Sequence, residues 1–309
     1  MISPLLLLLG CNDYFLDGAS AEVRDVTVTE SFTQAPLPGL DVLFVVDGTG
    51  SMAEEQAMLG DAAVVFVSAL DDLDVAYQIG VVSMDLADQG ALLGVPWILT
   101  PSQDDVAGNL AEAMNVGTSA LPPSQGLDAA TLVLSDPLGV NTGFRRADAA
   151  LHVLFVTDAD DSSGDVLGDD PVTAFLAVLA AEQNRTARGA RASALVGDLP
   201  GGCTGDNGTA LAGTRYVEVA EGSGGKVASI CTGDFGSLVT DMGAVAVEWQ
   251  VSFPLQADPA EGSAAVWVDG ERMESGWALD HSVPALVFEA APPPDAWIEV
   301  TYSLGDTGA

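Results

Sequence analysis

Residues 41–52 have the sequence DVLFVVDGTGSM. The run at 41–46 is almost continuously apolar, which is typical of a strand buried on both faces of a parallel sheet. Residues 52–70 follow with helical spacing, and two glutamates fall in the first turn, where the helix dipole favours negative charge. We expect the buried stripe of this helix to be Met58, Ala62, Val65, Phe66 and Ala69. The stretch therefore predicts a buried strand that leads into an amphipathic helix.

The alternation of strands and helices continues to about residue 247. We predict strands at residues 77–84, 97–100, 152–156, 190–196 and 226–230, helices at 103–115, 126–135, 172–185 and 235–247, and a glycine-rich loop at 200–213. This β-α-β rhythm indicates an α/β fold with a doubly wound, mostly parallel sheet covered by helices on both faces.

A different pattern follows in the last sixty residues. Short β runs occur at residues 250–255, 264–269, 287–289 and 297–302, and Asp269-Gly270 is a hairpin-turn signal. They predict a small C-terminal antiparallel β module. The run at 24–32, in which apolar and polar residues alternate, would add one more strand to this module. We divide the 309 residues into a signal peptide (1–10), a tether plus a β-strand (11–38), the α/β domain (39–249) and the β module (250–309).

The charge balance excludes some classes of partner. Nine basic against 45 acidic residues give a formal net charge of −36. Such a chain repels phosphates and anionic lipid surfaces, so a basic patch for nucleic acid or membrane is excluded. The hydrophobic fraction of 48% with 17% charged residues is that of a globular chain with a sizeable core.

The first eleven residues predict the compartment. A leucine run ends in Leu8-Leu9-Gly10-Cys11, which resembles a bacterial lipobox. The resemblance implies cleavage before Cys11, lipidation of its thiol, and a place in the bacterial cell envelope, at the outer membrane. The run is too short to span a bilayer, so lipid would be the only membrane anchor. The alternative is an ordinary buried N-terminus.

Two cysteines remain, Cys203 and Cys231. In an exported protein a single leftover pair most simply forms one disulfide bond. We expect the strands 190–196 and 226–230 to be parallel neighbours, which would bring both thiols to the same edge of the sheet. Two free thiols are the alternative, and they would require the lipobox to be accidental.

Oxygen-bearing side chains follow the predicted buried strands. Asp47, Thr49 and Ser51 follow the first one, Thr118 lies in a later loop, and Asp158 follows the strand at 152–156. Ligands of open α/β sheets bind beyond the carboxyl ends of the strands. Carboxylates and hydroxyls are hard donors, as Mg²⁺ requires, and two carboxylates balance one divalent ion. The pattern predicts a divalent-metal site.

These residues also carry a family resemblance. Residues 39–249 resemble the von Willebrand factor type A (VWA) domains in three features: the stretch DVLFVVDGTGSM, the threonine loop, and the aspartate after the strand at 152–156. The layout of the whole chain resembles the VWA lipoproteins of Gram-negative, myxobacteria-like bacteria. The resemblance implies a metal-ion-dependent adhesion site (MIDAS) at Asp47, Thr49, Ser51, Thr118 and Asp158. Thr49 stands where serine is usual in the family, and Thr131 is a second threonine near Thr118 in the sequence.

The resemblance implies cell adhesion. Mg²⁺, or alternatively Mn²⁺ or Ca²⁺, would bind an acidic residue of a partner protein. Because this site would lie on loops, we expect Asp47→Ala to abolish metal binding and leave the fold intact.

Three alternatives remain open. The turn at 47–51 could only cap a helix, residues 158–165 could bind Ca²⁺ independently, and the protein could be a structural envelope lipoprotein whose metal only stabilises the fold. A hydrolase is disfavoured because no Walker lysine and no G-x-S-x-G elbow is present. We expect His152 to be a packed core residue. Because the sequence has two histidines and no acid/base constellation, we predict no enzyme.

Overall fold

The computed structural model describes residues 26–304 except 38, 74, 122, 187, 206, 207 and 233, and it leaves the side chains of residue 237 and residues 242–246 undescribed. The predicted signal peptide, Cys11 and most of the tether lie outside the described residues. No helix in the described part of the chain is long and apolar enough to cross a bilayer.

The described residues form fourteen strands and six α-helices. The strands are β1 (Thr27–Thr33), β2 (Leu40–Val46), β3 (Tyr77–Ser83), β4 (Ala150–Val156), β5 (Ala190–Val196), β6 (Cys203–Gly205), β7 (Gly208–Ala210), β8 (Val227–Ser229), β9 (Ser252–Pro254), β10 (Ala265–Val268), β11 (Glu271–Met273), β12 (Trp277–Asp280), β13 (Ala285–Phe288) and β14 (Trp297–Ser303). The helices are α1 (Ala53–Asp72), α2 (Val106–Met114), α3 (Gly126–Ser135), α4 (Pro171–Thr186), α5 (Thr214–Ser223) and α6 (Phe235–Ala246), with short 3₁₀ turns at Gly50–Met52 and Leu86–Asp88.

The chain divides into two compact units. Among the described residues, the α/β unit comprises 34–250 and 293–295, and the β unit comprises 26–33, 251–292 and 296–304. The β unit is therefore built from both ends of the chain.

A five-stranded parallel sheet in the order β3-β2-β4-β5-β8 organises the α/β unit. Every residue of β2 and β4 is buried, because helices cover both faces. Side chains of α1, α2 and α6 pack on one face and those of α3, α4 and α5 on the other. This arrangement confirms the predicted doubly wound α/β fold.

The strand order defines where a ligand site can form. From β2 the chain passes to β3 on one side, and it then returns to place β4 on the other side. The crossovers beyond the carboxyl ends of β2 and β4 therefore diverge, and ligands of open α/β sheets bind at such a switch point. Asp47 directly follows β2, and Thr157 and Asp158 directly follow β4.

Several local predictions for this unit are corrected. Residues 97–100 form no strand but an isolated bridge between Leu99 and Ile79. The glycine-rich loop contains the hairpin β6–β7, and α5 was not predicted. Val65 was assigned to the buried stripe of α1 but is 49% exposed, whereas Leu59 and Ala63 are buried, so the apolar face is rotated from the predicted one.

The β unit consists of two antiparallel sheets, in the orders β1-β14-β10-β11 and β12-β13-β9. Its core includes Phe253, Val266, Phe288 and Tyr302. The early strand pairs with the last one along its whole length, from Thr27↔Ser303 to Thr33↔Trp297, so it belongs to this unit. Strands β11 and β12 were not predicted, because they are short and partly exposed.

The predicted hairpin turn is present in the β unit. Val268 pairs with Glu271, so Asp269 and Gly270 form a two-residue loop. Their φ angles of 51° and 82° are both positive, as a type I′ turn requires.

The predicted disulfide bond is confirmed. Cys203 and Cys231 are joined, with Cα atoms 6.1 Å apart. Strands β5 and β8 are parallel neighbours, as expected, with Ala194 opposite Val227. The bond therefore ties the β6–β7 hairpin to the segment that follows the edge strand β8.

Candidate metal centre

Asp47 lies at the centre of the switch point and is fully buried, with 0% exposure. Its Oδ1 accepts a 2.8 Å hydrogen bond from the backbone N–H of Thr49. Its Oδ2 accepts hydrogen bonds from Ser124 Oγ at 2.8 Å and Thr157 Oγ1 at 2.7 Å. These three donors fix the carboxylate. Asp47 lies on the loop after β2, as expected, but because it is buried and accepts three hydrogen bonds, we no longer expect Asp47→Ala to leave the stability of the fold unchanged.

The hydroxyls of Thr49 and Ser51 lie next to this carboxylate. Their oxygens are 3.3 Å apart. Neither the 3₁₀ turn at Gly50–Met52 nor α1 receives a side-chain cap, so these hydroxyls do not cap the helix. This observation argues against the helix-cap alternative.

Asp158 supplies the second carboxylate and is 7% exposed. Burial raises the pKa of this carboxyl above its usual value, a hydrogen bond from Ser51 acts against the rise, and the negative charge of Asp47 adds to it. Asp158 is thus close to Asp47 and Ser51, two of the other residues predicted to bind the metal. Two buried carboxylates that repel each other are a physical reason for a cation between them.

The loop that carries Thr118 packs against the turn after β2. The carbonyl oxygen of Thr118 lies 3.6 Å from the position that a Cβ on Gly50 would take, and the N–H of Ala120 donates to the carbonyl of Gly48 at 3.0 Å. Thr118 is exposed. The alternative, Thr131, is buried on α3, where its hydroxyl donates to the carbonyl of Leu127 at 2.8 Å.

Sequence reasoning missed the side chains that hold the site together. Gln56 is buried, and its Nε2 donates to the carbonyls of Asp47 and Gly117, both at 2.8 Å. It therefore connects the two predicted metal-binding loops. Ser124 and Thr157 were missed as well. Only Thr157, which directly precedes Asp158, had a sequence signal that could have revealed it.

Glu55 is a third carboxylate near the site. It lies in the first turn of α1, is 3% exposed, and its Oε2 has no hydrogen-bond partner within the part of the chain that the structure describes. Burial raises its pKa, and the charge of Asp158 raises it further. The sequence suggested only a favourable helix-dipole position for this residue, not burial.

The acidic segment at 158–165 is held by protein donors. Asp161 Oδ1 accepts hydrogen bonds from Ser163 Oγ at 2.7 Å and from the hydroxyl of Tyr216 at 3.2 Å. Asp165 accepts from the Gln125 side chain at 3.0 Å. The carboxylate of Asp128 accepts four backbone N–H bonds from residues 164–167. These bonds account for the segment structurally, which argues against an independent Ca²⁺ loop.

The donor set fits a hard divalent cation. It combines two carboxylates with hydroxyls and contains no sulfur or imidazole, which suits Mg²⁺, Mn²⁺ or Ca²⁺ rather than zinc. No ion pair of the described residues involves Asp47 or Asp158, so protein cations do not balance them there. Within the same residues no three His, Cys, Asp or Glu side chains are grouped to hold a metal. Hydroxyls would therefore complete the site.

His152 offers no catalytic chemistry at this site. His152 is fully buried in β4, where its Nε2 lies 2.8 Å from Ser193 Oγ, and burial lowers its pKa to about 3. It is a packed core residue, as predicted. His281 belongs to the β unit, where its Nδ1 lies 2.5 Å from Asp258 Oδ1.

No protein-family model matches this chain, and no curated protein is similar to it. Solved structures that resemble it include a von Willebrand factor type A protein from Catenulispora acidiphila (TM-score 0.44, 11% identity, 91% of this chain and 66% of that one). Others are the pilus adhesins of Streptococcus pneumoniae (TM-score 0.41, 9% identity, 91% and 58%) and Lactobacillus rhamnosus GG (TM-score 0.36, 11% identity, 90% and 41%). The chain thus spans less than two thirds of the length of each of these structures.

Proposed function

We propose that this protein is an envelope lipoprotein that captures a partner protein through a divalent cation. Asp47, Thr49, Ser51, Thr118 and Asp158 would hold the cation, as in the adhesion site of VWA domains. One observation carries the proposal: the carboxylates of Asp47 and Asp158 are both buried at the switch point beside the hydroxyls of Thr49 and Ser51, and no ion pair among the described residues includes either carboxylate. A cation offsets the negative charge of two such buried carboxylates, and an acidic group of a partner protein can complete the coordination of the cation.

The charge of the chain shapes how such a partner would bind. A net charge of −36 repels an acidic protein at long range. Association should therefore be slow at low ionic strength and faster as salt screens the repulsion. The binding energy would come from short-range coordination at the cation.

We also propose that Cys11 anchors the protein by lipid in the cell envelope, at the outer membrane. The support is the lipobox resemblance of Leu8-Leu9-Gly10-Cys11. Mass spectrometry of the mature N-terminus should show a lipid-modified Cys11. An intact Met1 or an unmodified cysteine would refute it.

We propose a binding protein and not an enzyme. The structural-lipoprotein alternative, in which the ion only stabilises the fold, also has an observation in its favour. Burial and the charge of Asp47 raise the pKa of Asp158, so an ion at the site would relieve an unfavourable charge even without a partner.

Two measurements on the full chain separate these functions. Calorimetry with Mg²⁺ tests the site, and capture of envelope proteins with and without chelator tests adhesion. Asp158→Asn should abolish both, whereas the exposed Asp169→Asn should change neither. Metal binding with chelator-insensitive capture would favour the structural role, and absence of metal binding would refute both.

A further inference from the structure

Glu55 is a buried carboxylate with one oxygen that accepts no hydrogen bond from the described residues. It is 3% exposed, and this oxygen is Oε2. A buried charged group without compensation is costly, so such a group needs either a proton or a nearby cation. No ion pair of the described residues includes it.

The β6–β7 hairpin closes over this carboxylate. Gly208 has a φ of +108°, and a Cβ there would lie 3.1 Å from Glu55 Oε1. A side chain at this position would therefore crowd the carboxylate. The disulfide between Cys203 and Cys231 ties the hairpin down, and Leu211 N–H donates to the carbonyl of Asp158 at 2.8 Å. The segment that covers Glu55 is thus fixed to Asp158 as well.

The acidic groups next to Glu55 reinforce its need for a cation. Asp158 and Glu54 both interact with it unfavourably, in addition to the effect of burial. Asp158 is also one of the two carboxylates of the proposed metal centre. A divalent ion beside Asp158 would therefore act on Glu55 through the same low-dielectric surroundings.

We propose that Glu55 is an outer-sphere carboxylate of the metal centre, and that its charge sets the affinity of the centre for divalent cations. This inference rests on the proposed function. Glu55 does not ligate the ion together with Asp47 and Asp158, because these acids form no common ligand group in the described residues. It adds a third negative charge behind the site, which tightens the hold on a cation through electrostatic attraction.

Three substitutions in the full-length protein test this role, with Mg²⁺ in calorimetry and Mn²⁺ in electron paramagnetic resonance as probes. Glu55→Gln keeps the shape and removes the charge, and it should weaken the affinity for both ions about tenfold. Glu54→Gln removes the same charge from the exposed neighbouring position, and solvent screening should keep its effect below about twofold. Glu55→Asp keeps the charge and should retain most of the affinity.

The outcomes separate this inference from the proposed function. If the wild type binds Mg²⁺ and Glu55→Gln binds it equally well, the inference is wrong and the metal site stands. Equal loss in Glu55→Asp and Glu55→Gln would assign the effect to packing instead of charge and would also overturn it. If the wild type binds neither ion, the proposed function fails first. Should Glu55→Gln not fold, Glu55→Met provides the uncharged variant of similar length.

Discussion

The burial of Asp47 makes Asp47→Ala a test of stability as well as of metal binding. The carboxylate accepts three hydrogen bonds, from Thr49 N–H at 2.8 Å, Ser124 Oγ at 2.8 Å and Thr157 Oγ1 at 2.7 Å. A hydrogen bond to a charged group contributes roughly 1.5–3 kcal/mol. Because water can enter and the two hydroxyls can rotate, the three losses do not add fully. We expect the free energy of unfolding to fall by about 4 kcal/mol.

Urea denaturation followed by circular dichroism, in excess chelator, measures this loss without any contribution from a bound ion. Ser124→Ala is the matched control, because it removes one of the three bonds and should cost about 1.5 kcal/mol, the lower end of the range for a bond to a charged group. A loss below about 1 kcal/mol for Asp47→Ala would refute the reasoning. It would mean that the three donors find other partners, and that Asp47 matters only to the ion.

Three further predictions concern the charge, the metal and the disulfide. In chelator, Asp158→Asn should be at least as stable as the wild type at neutral pH. In Mg²⁺ it should lack the thermal stabilisation that the ion gives the wild type, which is about 2.7 kcal/mol at a hundredfold excess over Kd. A normal response of Asp158→Asn to Mg²⁺ in differential scanning calorimetry would contradict this. Because the folded-state pKa of Asp158 is raised above 3.8, its contribution to stability is present at lower pH and is lost as the pH rises through the folded pKa. Stability-versus-pH curves in chelator should therefore separate in favour of Asp158→Asn as the pH rises, and parallel curves would refute the assignment. Replacing both Cys203 and Cys231 by serine opens a link across 28 residues, so it should cost the α/β unit about 3–4 kcal/mol in urea denaturation, and an unchanged midpoint would speak against the bond.

The sequence predicted the elements whose pattern is local. The strands β2 and β4 are apolar runs that only Asp41 and His152 interrupt, so their burial on both faces follows from the local sequence pattern. The Asp269-Gly270 turn follows from the backbone angles that these residues tolerate. By contrast, α5 was missed because glycines flank it and its buried side chains, such as Tyr216 and Val219, are too few to mark a long stripe.

Only the tertiary structure decided how the candidate site is held. In the parallel register Val46 pairs with Val156, so the next residues along the two strands, Asp47 and Thr157, become neighbours and form a 2.7 Å hydrogen bond. Gln56 likewise joins loops that are distant in the chain. No local period encodes such contacts, because they depend on strand register and on the direction of each crossover. The sequence alone determined which oxygen-bearing residues follow the buried strands. Packing decided that Asp47 and Glu55 would be buried carboxylates, since burial at the end of a strand or at the start of a helix depends on what covers it.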